Sequence, residues 1–140
     1  MSASLHTVPL HRTAAPGWVL RAIVSGHLVL IVGQPVFAGV YLSGAYDGLR
    51  WHATGADVVT SFALLQLIVA VVVRVRLRLT WPALASLALL VAESVQYYAG
   101  RHGELWLHLP LGVMTIAALV VLFIAVWRAP LSTPPGVARA

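Results

Sequence analysis

The chain has 140 residues, of which 60% are apolar and only 9% charged, with a mean hydropathy of +0.90, whereas a soluble domain carries about 25% charged residues. That composition excludes a soluble fold, and a net charge of +5 therefore speaks for membrane topology rather than for nucleic acid. The absence of cysteine and of lysine excludes disulfides, thiolate metal sites and any Schiff-base chemistry.

In chain order, residues 1–17 mix Ser, Thr, His and Pro and read as a flexible tail. Four hydrophobic spans follow, at 18–42, 49–73, 79–99 and 105–127, and residues 128–140 form a second Pro-containing tail. Each span is long enough for a hydrocarbon core that needs about 20 apolar residues, and a segment facing lipid satisfies its backbone only as a helix. No room remains for a folded aqueous domain. The links between spans are short, which predicts an all-α, up-down-up-down four-helix bundle with spans two and four diagonal across it. Pro35 inside span one should kink that helix near Gln34, and Gly33 and Gly39 give it a small-residue surface for close packing.

The arginines set the orientation. Seven of the nine lie at the two ends and between spans two and three; only Arg50 and Arg101 lie in the other two links, beside Asp47 and Glu104. Basic loops stay on the cytoplasmic side, so both termini are expected in the cytoplasm of a bacterial cell, with the chain multi-pass in its inner membrane. The Arg74, Arg76 and Arg78 cluster then contacts lipid headgroups rather than nucleic acid. Five tryptophans, Trp18, Trp51, Trp81, Trp106 and Trp127, fall near span ends as interfacial anchors.

Ionisable groups at membrane depth are costly and mark function or a partner. Gln34, Asp57, Glu93 and Thr115 come out at similar depth and are expected to form one polar layer, with His27 deeper and Gln66 as its hydrogen-bond partner. Two histidines carry more information. Leu49-Arg50-Trp51-His52 opens span two, Leu105-Trp106-Leu107-His108 opens span four, and a glycine follows each, Gly55 and Gly112. Parallel, diagonal spans would put His52 and His108 at one height, facing each other. Imidazole is an axial ligand of haem iron, and bundle cores hold such cofactors from facing helices. Arg50 and Arg101 sit beside that level and suit haem propionates. The expectation is a b-type haem ligated by His52 and His108, used for electron transfer or haem handling near the outer face; the alternative is that both histidines are structural.

The stretch Gln34-Pro35-Val36-Phe37-Ala38-Gly39-Val40-Tyr41-Leu42-Ser43-Gly44 followed by Leu49-Arg50-Trp51-His52 resembles small four-helix bacterial membrane proteins that remain uncharacterised as a group. The paired histidines on a four-helix unit also resemble one half of haem A synthase, and that resemblance implies ligand roles for His52 and His108. Glu93 is not placed beside a ligand histidine as the catalytic glutamate of haem A synthase would require, so the resemblance implies no enzymatic activity. Nor is there a motif for hydrolysis or nucleophilic catalysis. Two other classes stay open: an assembly subunit docking a larger membrane complex or a second copy of itself through Gly33 and Gly39, and a small proton or ion transporter using Asp57 and Glu93.

Overall fold

The computed structural model describes residues 13–132, which form four helices: α1 (Ala15–Leu42), α2 (Asp47–Leu77), α3 (Trp81–Arg101) and α4 (Leu105–Arg128). The protein is thus all-helical over the described residues. α1, α2 and α4 are each long and apolar enough to cross a membrane, whereas α3 spends part of its 21 residues on Ser86, Glu93, Ser94, Gln96 and Tyr97. Of the two expected tails, residues 1–12 and 133–140 lie outside the described residues; the segments nearer the bundle are ordered into it. α1 starts at Ala15 with Pro16 in its first turn, where a missing N–H costs nothing, and Leu131 beyond α4 is fully buried, its carbonyl accepting from Ala14 N–H at 2.8 Å.

Each helix packs on its sequence neighbour, and α4 closes the ring against α1; α1 and α3, like α2 and α4, are diagonal. The buried positions explain this arrangement. On α1 they are Leu20, Val24, His27, Ile31 and Gln34, and on α2 Val59, Ala63, Gln66, Ala70, Val73 and Leu77. Steps of four and three residues alternate along both, the spacing that keeps one face on the seam of a bundle. The links are tight, and Gly44 and Gly103 supply backbone at φ +94° and +76° there, a region open to glycine without steric cost. α1 runs on through Pro35 as one helix. Large apolar side chains such as Val29, Leu42, Val75, Val113 and Val121 face outward, and all five tryptophans are exposed.

The buried interior has two halves. Around the start of α1 and the end of α4 it is apolar, with Leu20, Val24, Val73, Leu119, Leu122 and Val126 in one cluster. Toward the 43–46 and 102–104 links it is polar. The apolar half is closed by Arg21, which is only 8% exposed. Its guanidinium donates to the carbonyls of Val126 (3.2 Å), Trp127 (3.3 Å) and Ala129 (3.1 Å) and to Thr13 Oγ1 (3.1 Å). The last carbonyls of a helix have no partner within it, so Arg21 caps α4 from another helix and meets the negative end of its dipole. Trp18 and Trp127 stack around the cation, their centroids 5.0 and 5.3 Å from it. Replacing Arg21 by Met should lower stability by about 3 kcal/mol, the scale of lost charge-assisted hydrogen bonds, and Lys, lacking the planar fork, should recover only part of it. Thermal unfolding in detergent measures both; a Met variant as stable as the native protein would refute the capping role.

Candidate functional site

His52, one turn into α2, and His108, one turn into α4, face each other across the bundle with ring centroids 5.9 Å apart and planes at 86°. A carbonyl on a neighbouring helix fixes each ring. His52 Nδ1 donates to the Gln34 carbonyl on α1 at 3.0 Å, and His108 Nδ1 donates to the Gln96 carbonyl on α3 at 2.9 Å. A carbonyl only accepts, so each ring carries a proton on Nδ1, and Nε2 is the nitrogen left to face another group. Orientation of one imidazole nitrogen by a carbonyl is the usual outer-shell arrangement behind a metal-ligating histidine.

The same two glutamines also place their side chains alike. A Cβ on Gly55 would collide with the Gln34 amide, and one on Gly112 would stand 3.1 Å from Gln96 Nε2. One unit therefore occurs twice: a glutamine on an odd-numbered helix, whose carbonyl holds the histidine of the next helix and whose amide crosses a glycine one turn further on. The L-x-x-H pair and the glycines show half of it in the sequence. Gln96 was not among the expected site residues, and its spacing from His108, 12 residues against 18 for Gln34 and His52, hides the correspondence.

Both rings line a cavity of about 40 Å³, together with Ile31, Gln34, Ala56, Val59, Thr60, Glu93, Gln96 and Tyr97. Its walls are rich in acceptors. Gln34 Oε1 and both Glu93 oxygens are buried without a hydrogen-bond partner. Among the described residues no group of three or more His, Asp or Glu side chains is placed to hold a metal ion, so the imidazoles form a two-donor set.

Below the cavity runs a fully buried polar string. Glu93 Oε1 on α3 approaches His27 Nε2 on α1 at 3.2 Å, a close contact without hydrogen-bond geometry, so His27 Nε2 joins the Glu93 oxygens among the buried atoms with no hydrogen-bond partner. His27 Nδ1 donates to Gln66 Oε1 on α2 at 2.9 Å, and Gln66 Nε2 donates to Ser86 Oγ on α3 at 3.2 Å. The expected His27 and Gln66 pair is present, and Glu93 and Ser86 extend it at both ends. Because Gln66 uses its amide N–H toward Ser86, its oxygen must accept from His27, so His27 carries a proton on Nδ1 and turns Nε2 to Glu93.

Asp57 does not join the layer. It lies five residues after His52, about 140° further round α2, and is exposed on the outside of the bundle, where it accepts from Tyr97 O–H at 2.8 Å. Thr115 is buried and reaches Gln96 Oε1 at 3.0 Å. Arg50 lies 3.6 Å from Asp47 with its side chain 75% exposed, and Arg101 is exposed at the end of α3. Both stand beyond the histidine level, outside the cavity lining.

No family model, no curated protein and no solved structure matches this chain.

Replacing Gln66 by Leu would leave His27 Nδ1 and Ser86 buried without partners, at about 1–3 kcal/mol for such orphaned groups. Thermal unfolding should show that loss, while Ser94→Ala, on the exposed face of α3, should lie within about 0.5 kcal/mol of native, as a surface change does. Equal stabilities for the two variants would refute the role of the string.

Proposed function

We propose that the protein crosses the bacterial cytoplasmic membrane four times, up-down-up-down with both termini inside, and holds a b-type haem between His52 and His108 near the outer face for single-electron transfer or haem handling. The short links and the ring of packed neighbours support alternating directions, and the seven-to-two arginine asymmetry supports the sidedness. α3 fits as a fourth crossing because its 21 residues reach about 31 Å, and Ser86 and Glu93, which lower its hydropathy, are turned inward.

The observation that carries the haem reading is the oriented two-donor set. Two neutral imidazoles bound to one metal at about 2.0–2.1 Å each have centroids about 6 to 6.5 Å apart, close to the 5.9 Å found here. A pair with no third protein ligand suits a metal that brings its own equatorial nitrogens, as haem iron does. A cavity of about 40 Å³ holds one or two waters and not a porphyrin, so the site as it stands does not fit haem, and binding would require the helices that carry His52 and His108 to part. Haem supplies a one-electron couple. The chain's own part would be to keep both Nδ1 protons on main-chain carbonyls, which leaves Nε2 of each ring as the nitrogen for the metal, and to offer Arg50 and Arg101 to the propionates at the outer rim.

The protein purified in mild detergent with haem supplied should show a Soret band, with the narrow visible bands of a low-spin bis-histidine centre on reduction. His52→Ala with His108→Ala should abolish it. No Soret band in the native protein, or one unchanged in the double variant, would exclude this reading.

A further inference from the structure

Asp57 poses a problem that the described chain does not solve by itself. It lies ten residues into α2, about 15 Å along the helix axis, on the exposed outer face. Tyr97 O–H occupies Oδ1, leaving Oδ2 for another donor. Ionisable side chains within a bilayer are turned inward or paired; this one is turned outward and paired only through Oδ1, and a second protein surface would supply the donor for Oδ2.

Its neighbours indicate what kind. Thr54, Asp57, Ser61, Leu64, Ile68 and Val71 are all exposed, at alternating steps of three and four residues, the seam on which a second helix packs. Its first half carries Asp57 with the Thr54 hydroxyl one turn before it, while the Ser61 hydroxyl one turn after it donates to the Asp57 main-chain carbonyl at 2.8 Å; its second half is apolar, with Leu64, Ile68 and Val71 51%, 54% and 43% exposed. Such a seam is complementary to itself. A two-fold axis parallel to α2 sets like residues at one level, so each Asp57 comes beside that of the other copy with the other copy's Thr54 hydroxyl one turn away, and apolar half lies on apolar half, as an isologous interface requires.

We propose that two copies of this chain associate in the membrane through the outer face of α2, with Asp57 setting the register. Polar side chains are a principal glue between helices in lipid, and a single polar seam position fixes alignment and partner number. The inference is independent of any ligand at His52 and His108, which lie on the inner side of the bundle.

The chain has no cysteine, so single-cysteine variants oxidised in native membranes test it directly. Ser61→Cys, Leu64→Cys and Ile68→Cys should each give a covalent dimer of twice 15.0 kDa, and Val121→Cys, 65% exposed on α4, should not. In the Ser61→Cys background, Asp57→Ala should reduce dimer yield at least tenfold, while Asp57→Asn, which keeps an acceptor and the fold, should retain it. No dimer from the three α2 positions, an equal yield from Val121→Cys, or a product of any other mass would overturn the proposal. The position scan decides the matter even if Asp57→Ala fails to fold.

Discussion

The run Glu93, His27, Gln66, Ser86 ties three helices together at the one place where they cannot slide. In lipid there is no hydrophobic drive between apolar helices, because the solvent is as apolar as they are. Leucine and valine faces alone would tolerate many registers. Four polar groups, all buried, remove that freedom: a shift of one turn on any of the three helices would strand a donor or an acceptor in a medium that offers no replacement. The string is a specificity device more than a source of net stability, since desolvating a carboxyl and an imidazole offsets much of what their contact returns.

The histidine pair inherits its geometry from that register. His52 and His108 are held by carbonyls of α1 and α3, which belong to helices already aligned by His27 and Glu93 beneath them. The repeated glutamine, histidine and glycine unit is thus two hairpins bringing the same device to a common centre. The cavity that both rings line is narrow, with Gln34 and Gln96 lying across the glycines.

Much of this was legible in the residues. Four helices, the diagonal relation of α2 and α4, the facing histidines and the pairing of His27 with Gln66 follow from hydrophobic spans, short links and depth counting. What the sequence left hidden was azimuth. Depth put Asp57 beside Glu93, but depth carries no information on which way a side chain points, and Asp57 faces out. The contact of Glu93 with His27 lay outside reach for the same reason: it crosses from α3 to the diagonal helix. The carbonyl partners of His52 and His108 were equally invisible, because a main-chain acceptor leaves no mark on residue identity. The count of crossings shows another limit: four spans read as hydrophobic in the sequence, and three of the helices, α1, α2 and α4, are long and apolar enough to cross a membrane, because Ser86, Glu93, Ser94 and Gln96 lower the hydropathy of α3.

Arg21 makes the order of synthesis matter. Its carbonyl partners lie 105 to 108 positions later in the chain, so the first helix leaves the ribosome with a cation whose acceptors do not yet exist. Until the last helix packs against the first, that guanidinium lacks the carbonyls of Val126, Trp127 and Ala129. The assembled bundle therefore latches only when translation is nearly finished, and a chain truncated before the fourth helix would carry an open first helix for quality-control proteases to recognise.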